Sequence, residues 1–404
     1  MSYVQDAGCD VAVIGLGFVG LPAALLLAHG SAETIGVDID ERIVTSLESG
    51  VCPLKEEGID AIFNAATTKA NFTVRRKPPV ADAYMIAVPT PLDERRKIAD
   101  LAALKSATKS IVPTLRRGAL VIVESTVPPL TCQEVIRPIL EQTGLTVGKD
   151  IFLSHCPERL FPGNVVHEIV TNARIIGGCC QTATERSAEL YRRFCKGELM
   201  LTDDVTAEFC KITENAYRDV NIALANELAN VADRLGVSIQ TVIELANRHP
   251  RVNILKPGIG VGGHCIPIDP WFIAEAAPEE TVIIPTARRI NDARPGQIAA
   301  KVRRAVAHLP EPRLAVYGVT YKPDVNDQRE SPAWVIVRLL RDDGYDVAVL
   351  DPVAGQGEAR DVFEFAKGRD ALIVLVEHRE ILEHLHSDYD RLAKSLNHPI
   401  VLRF

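Results

Sequence analysis

Cys265, one of nine cysteines, lies in the segment GVGGHCIPID, with Gly260, Gly262 and Gly263 before it and Pro267 after it. Glycines let backbone approach a ligand closely and proline stiffens the exit, so a thiol in such a loop is placed to act as a nucleophile. Packed apolar filler is the ordinary role of a lone cysteine, and the residue by itself leaves both readings open. His264 beside it suggests zinc, but no second Cys/His pair stands at metal spacing, so no metal is expected. In a stretch without Gly or Pro, Lys211, Asn215 and Arg218 fall at i, i+4 and i+7. One helical face therefore carries an ammonium, an amide and a guanidinium. Such a face can converge on a ligand or can simply be solvated; asparagine is a poor choice for a solvated face because it competes with the helix backbone.

The segment VAVIGLGFVG runs from an apolar strand into G-x-G-x-x-G, and LPAALLLAHG continues as a helix. Gly15 permits the tight turn, Gly17 removes a side chain that would block a pyrophosphate, and Gly20 lets helix and strand pack closely. A second strand, TIGVDID, ends in Asp38, where a carboxylate can accept from ribose hydroxyls and would repel a 2′-phosphate, so the expected cofactor is NAD. Thr90 in VPTP and Thr126 in ESTVPP each follow an apolar strand, where ligands bind in a doubly wound sheet, although either can be a plain turn residue. Arg248, His249, Arg251 and Lys256 form a basic cluster upstream of the thiol, and Lys322 and Arg329 flank a helix start capped by Ser331; both are corners suited to a pyrophosphate.

These groups need elements to hold them. With 404 residues the chain exceeds one ordinary core, and 47% hydrophobic with 24% charged residues is the balance of a globular protein rather than a disordered one. From Asp10 to about Leu201, the runs VAVIG, TIGVD, AYMIAVPT, ALVIVEST and ARIIGG alternate with helical patterns, the rhythm of a parallel sheet with crossover helices. Thr206 to Leu235 reads as one unusually long helix, and Ser238 to Asn247 as another. Breakers then crowd HPRVNILKPGIGVGGHCIPIDP, and a loop that long is usually functional. A helix near Arg288 to Ala307 precedes a second α/β rhythm: RLAVYG, a helix from about Ser331 to Asp343, DVAVLDP and ALIVLV. The expected fold class is α/β, two Rossmann-like doubly wound parallel-sheet domains joined by a long-helix central domain, with domains at 1–201, 202–305 and 306–404. The net charge of −8 opposes nucleic acid and acidic membranes. The opening MSYVQDAGCD has no basic start with an apolar run, Leu21 to Ala28 is too short to span a bilayer, and scattered cysteines suit a reducing compartment; a cytoplasmic protein with no membrane partner is expected.

Read in order, the segments GLGFVGLPAALLLA, VPTP, ESTVPP, CPERLFPG, KITENAYRDVNIALANELA, NRHPRVNILKPGIGVGGHCIPIDPWF and YKPDVNDQRESPA resemble the UDP-glucose and GDP-mannose dehydrogenase family over almost the whole chain. NRHPRVNI and GGHCIPIDPWF are most similar to its branch acting on UDP-N-acetyl-D-mannosamine; enzymes for UDP-N-acetylglucosamine are similar. The resemblance implies NAD in the N-terminal domain, a UDP-sugar substrate held with the C-terminal domain, and a homodimer or higher homo-oligomer built on the long helix. It implies Cys265 as nucleophile, Lys211 and Asn215 as oxyanion stabilisers, Asp269 ordering water near the lysine, Glu158 in thioester hydrolysis, and Thr126 near the nicotinamide. The expected cofactor set is Gly15, Gly17, Phe18, Val19, Gly20, Asp38, Arg42, Thr90, Thr126 and Arg329. The expected substrate set is Arg159, Leu160, Lys211, Asn215, Arg218, His249, Arg251, Gly262, Tyr321 and Lys322. Ile268 departs from the pattern, since UDP-glucose dehydrogenases usually carry lysine there, and this counts against glucose. Two rivals remain: a two-electron dehydrogenase of the hydroxyacid type, against which Cys265 and the added nucleotide domain argue, and a non-catalytic NAD-binding protein, which leaves Cys, Lys and Asn without a use.

Overall fold

The computed structural model describes residues 8–160, 163–357 and 361–404. The reading of residues 1–7 as free of a targeting signal, and Phe161 and Pro162 of CPERLFPG, lie outside them. The chain divides into two compact units, Met1–Glu214 with Trp271–Pro278, and Asn215–Pro270 with Glu279–Phe404.

In the first unit the strands of the main sheet are β1 (Cys9–Ile14), β2 (Thr34–Val37), β3 (Phe72–Arg75), β4 (Ala81–Ile86), β5 (Leu120–Val123), β6 (Phe152–His155), β7 (Arg174–Gly178) and β8 (Leu199–Asp203). They form one sheet in the order β8-β7-β6-β5-β4-β1-β2-β3. Val11 and Val13 of β1 enter one core and Ala12 and Ile14 the other, which is why VAVI is continuously apolar: the strand is covered on both faces. The order reverses between β1 and β4, and that reversal opens the crevice where doubly wound sheets bind ligands. Helix α1 (Gly20–His29) is buried from Gly20 to Ala28, which accounts for its run of Leu and Ala.

The all-parallel expectation needs one correction. β6 and β7 pair antiparallel, through Ser154 with Gly178 and His155 with Gly177. An antiparallel neighbour needs no crossover across the sheet, and among the described residues between them the only helix is the short Val165–Thr171. The strands β3 and β8, at the two edges of the sheet, give weak sequence signals because most of their residues are exposed or only half-buried, and β3 carries Arg75 at its end.

Helix α2 runs unbroken from Asp204 to Leu235, close to the expected span, and α3 (Asp269–Ala276) follows the long loop. Helix α4 (Ile283–Val306) begins before the expected Arg288 and continues through Pro295. In the second unit α4 joins α2 through buried polar pairs: Arg288 to Asp219 at 2.5 Å, Asn291 to Asp219 at 2.9 Å and Asn226 to Asn291 at 3.0 Å. The strands β9 (Arg313–Tyr317), β10 (Asp346–Leu350), β11 (Ala371–Val374) and β12 (Ile400–Arg403) form a parallel sheet ordered β10-β9-β11-β12, with α5 (Pro332–Asp342) against it. Leu314 and Val316 of β9 face one core and Ala315 and Tyr317 the other, repeating the two-faced burial of β1.

Candidate active site

At the turn after β1, Gly15 has φ +93°, and a Cβ there would sit 2.5 Å from the Ala87 carbonyl oxygen. A Cβ on Gly20 would lie 1.9 Å from the Gly15 oxygen, so helix and strand meet only because it is absent. A Cβ on Gly17 would meet no protein atom within 4 Å; this glycine serves no packing need inside the protein. Val19, which precedes α1, gives no side-chain cap, so the helix start is left to an anion. Asp38, half-buried at the end of β2, accepts from Leu16 N and Asp40 N, both at 2.8 Å, and these bonds fix its carboxylate beside the turn. After β4, Thr90 Oγ1 is buried with no hydrogen-bond partner among the described residues. Ser125 Oγ donates to Val88 O at 2.7 Å and accepts from Val88 N at 2.9 Å, joining the loops after β4 and β5 and thereby placing half-buried Thr126. A pyrophosphate cradle, a carboxylate at the ribose position and an orphaned hydroxyl at the crevice together fit NAD. Arg42 is exposed and pairs bidentately with Asp40.

The CPER segment brings a second group together in the same unit. Glu158 Oε1 accepts from Lys211 Nζ at 3.3 Å and Oε2 from Leu160 N at 2.5 Å. Both charged side chains are largely withdrawn from solvent, at 15% and 8% exposure, so each neutralises a group whose burial alone would be costly. Arg159 pairs with Glu214 on α2 and donates to Ala173 O at 3.2 Å, while Leu160 packs on the core. Burial, reinforced by the Lys211 charge, pushes His155 down to about 3, so its ring is neutral.

In the second unit, Cys265 is the one exposed cysteine of the nine. Its carbonyl accepts from Ile268 N at 3.0 Å and Asp269 N at 2.9 Å, closing the chain into α3. Asp269 is buried and its Oδ2 accepts from Asn215 Nδ2 at 2.6 Å, which ties the exit of the thiol loop to α2. A Cβ on Gly262 would lie 2.6 Å from the Glu330 oxygen and 3.0 Å from Tyr321 Cβ, and Gly263, at φ +86°, faces the Tyr321 ring. These glycines let the loop lie flush on the 321–332 segment. Burial, with the neighbouring Asp327 and Cys265, pushes the Tyr321 phenol above its ordinary range.

Lys211 and Asn215 stand one turn apart on α2, buried and half-buried, whereas Arg218, next on the stripe, is exposed. Arg248, His249 and Arg251 are exposed, and His249 Nδ1 accepts from Arg251 N at 3.3 Å. Arg329 pairs with Asp327 at 2.7 Å, and Lys322 is half-buried beside Tyr321. The sequence reading missed Ser125, whose hydroxyl joins two loops, and missed Asn226 and Arg294, which hold Gly258; none of these belongs to a motif or period that marks it.

Three consecutive stretches match one family. Residues 9–195 match the NAD binding domain of the UDP-glucose/GDP-mannose dehydrogenase family, 205–293 its central domain and 315–403 its UDP binding domain. The chain belongs to this family. It is an NAD-dependent UDP-sugar dehydrogenase. A UDP-N-acetyl-D-mannosamine dehydrogenase of Methanococcus aeolicus is 41% identical over 97% of this chain and 90% of its own length. An NDP-N-acetyl-D-galactosaminuronic acid dehydrogenase of Ralstonia nicotianae is 42% identical over 95% of this chain and 93% of its own. The solved UDP-D-ManNAc dehydrogenase of Pyrococcus horikoshii superposes with a TM-score of 0.90 at 37% identity, covering 98% of this chain and 94% of that one. Among the described residues no helix is long and apolar enough to cross a membrane.

Proposed function

We propose that this UDP-sugar dehydrogenase oxidises carbon 6 of UDP-N-acetyl-D-mannosamine to the carboxylate in two hydride transfers, with Cys265 as the covalent nucleophile. The observation carrying the chemistry is the exposed thiol on a glycine loop whose exit is bonded, through Asp269, to Asn215. The substrate follows the relatives from Methanococcus and Pyrococcus. The Ralstonia relative favours a second reading, another N-acetylhexosamine epimer as substrate.

NAD, when bound, accepts each hydride; Gly15, Gly17, Phe18, Val19, Gly20, Asp38, Arg42, Thr90, Thr126 and Arg329 are the residues proposed to hold it. The first oxidation removes a hydride from carbon 6 and a proton from its hydroxyl, through water at Lys211 and Asp269, leaving an aldehyde. The Cys265 thiolate then adds to the carbonyl carbon: a C–S bond forms, and the oxygen takes a proton. Loss of the second hydride from carbon 6 of that thiohemiacetal, together with its hydroxyl proton, leaves a thioester on Cys265. Water, deprotonated by Glu158, attacks the thioester carbon, the C–S bond breaks and the thiolate is restored. Lys211 and Asn215 oppose charge on the sugar oxygen at each tetrahedral stage, worth roughly 3 kcal/mol per well-placed donor. Arg159, Leu160, Arg218, His249, Arg251, Gly262, Tyr321 and Lys322 complete the substrate set.

The functional division at 1–201, 202–305 and 306–404, a cytoplasmic site of action and service to a surface polysaccharide belong to the same proposal. So does a homodimer on α2, supported by Tyr217, Leu224 and Val231, exposed apolar residues seven apart. The test is NADH formed per sugar consumed, with UDP-N-acetylmannosamine, UDP-N-acetylglucosamine and UDP-glucose side by side. Two NADH with the mannosamine sugar alone supports the whole reading, and a Cys265→Ser enzyme should then form no acid. One NADH per sugar would demote the thiol to a bystander.

A further inference from the structure

Residues 252–268 contain no helix or strand, so the place of the Cys265 thiol depends on whatever fastens that backbone. Two buried side chains meet at one residue, on the two peptide groups that flank its Cα. Gly258 N donates to Asn226 Oδ1 at 2.9 Å, and Gly258 O accepts from Arg294 Nε at 2.8 Å. Asn226, on α2, is 0% exposed and Arg294, on α4, is 4% exposed. Asn226 Nδ2 in turn donates to Asn291 Oδ1, whose own Nδ2 donates to Asp219, so the anchor is itself locked by a buried polar chain between the two helices. Arg294 also donates to Asn230 Oδ1 at 2.5 Å, and no carboxylate among the described residues lies within 4.0 Å of its guanidinium. Burying a cation on neutral acceptors is costly. Leucine or methionine would fill such a space at less cost, so stability alone does not account for arginine there.

The other end of the segment is fastened to the same helix, by Asn215 to Asp269. Asn215 and Asn226 are eleven residues apart on α2, about 16 Å along a rigid axis. The thiol lies between the two fastenings, and the glycines between them supply no side-chain hold of their own.

We propose that Asn226 and Arg294 are positioning residues for the Cys265 thiol, acting through the backbone of Gly258 and using α2 as the fixed ruler against which the thiol and Asn215 are set. The inference rests on the reading of Cys265 as nucleophile. Asn226→Ala removes the acceptor of the Gly258 N–H; Arg294→Lys keeps the cation and loses the planar fork that reaches both Gly258 and Asn230.

Both variants are made in the full-length enzyme, and three quantities are read: kcat against KM for sugar and NAD, the melting temperature, and the rate of Cys265 alkylation by iodoacetamide, followed by mass on its own peptide. The expected result is a fall in kcat on the order of 100-fold, as for a displacement of about 1 Å, with each KM within about threefold and the alkylation rate altered about fivefold or more. Parent-like kcat and alkylation in a folded variant would overturn the proposal. So would a loss of activity that tracks the loss of folded protein while alkylation of the folded fraction stays as in the parent. If Asn226→Ala does not fold, Arg294→Lys decides on the same readouts. Cys265→Ser separates the two levels: acid formation by that variant sinks the nucleophile itself, whereas an inactive Cys265→Ser beside a parent-like Asn226→Ala sinks only the fastening.

Discussion

Gly17→Ala and Gly20→Ala change the same motif by the same methyl group and should fail in opposite ways. At Gly17 the new Cβ meets no protein atom within 4 Å, and the residue is not among those with positive φ. The folded protein therefore loses nothing, and the smaller entropy of the unfolded chain should stabilise it by about 0.4–1 kcal/mol. The only group left for the methyl to strike is one lying over the turn. If that group is the NAD pyrophosphate, accommodating an extra methyl costs about 1–3 kcal/mol, which is roughly 5- to 150-fold in the dissociation constant. At Gly20 the Cβ would lie 1.9 Å from the Gly15 oxygen and 3.2 Å from Ala87 Cβ, so β1 and α1 must part by more than an ångström. That should cost about 3 kcal/mol, a fall of roughly 6–12 °C in melting temperature for a unit of this size. Thermal melting without NAD and calorimetric titration with NAD separate the two outcomes. A Gly17→Ala protein with parent-like melting and an NAD affinity within about twofold of the parent would show that no pyrophosphate approaches this turn.

Asn215→Ala should lower kcat by roughly 100- to 1,000-fold with little change in KM, because the amide is proposed to act on charge that develops only in the transition state; an equal rise in KM would make it a ground-state contact. Burial pushes the Glu208 carboxyl up to about 7, against the pull of the Cys132 and Leu130 N–H groups it accepts from at 2.8 and 2.7 Å. The folded value exceeds the roughly 4.3 of an unfolded chain, so this stabilisation is full below about pH 4 and is lost as pH rises through about 7, with about 4 kcal/mol at stake. Glu208→Gln should accordingly flatten the fall in melting temperature between about pH 5 and 8, and an unchanged slope would mean that Glu208 is ionised throughout. Leu224→Lys, in the exposed apolar stripe of α2, should shift the sedimentation coefficient toward that of a single chain; an unchanged value would move the self-association surface elsewhere.

The cofactor turn was legible because each glycine answers a local demand: a positive φ at Gly15, a missing Cβ at Gly20, open space at Gly17. The long helix was legible from its lack of breakers and ends within two residues of the expected bounds. Periodicity, however, reports a face and not a depth. Lys211 and Arg218 share one stripe, yet the first is buried against Glu158 and the second is exposed. The antiparallel step between β6 and β7 was hidden because RIIGG is apolar whichever way it runs. Asn226 and Arg294 were hidden for a different reason: they meet Gly258 from 32 and 36 residues away, and hydrogen bonds between distant helices and a loop leave no repeat in the sequence.

The boundary between the two compact units falls between Glu214 and Asn215, inside α2 and between the two proposed oxyanion donors. The spacing of Lys211 and Asn215 is thus set by covalent geometry and one turn of main-chain hydrogen bonds. Such an arrangement resists modular inheritance: a crossover at that boundary would cut through the helix and separate the codons of the two proposed donors. Drift in the loops proposed to meet the sugar, by contrast, leaves that spacing untouched, so a lineage can alter those loops while the proposed pair is passed on as a single indivisible turn of helix.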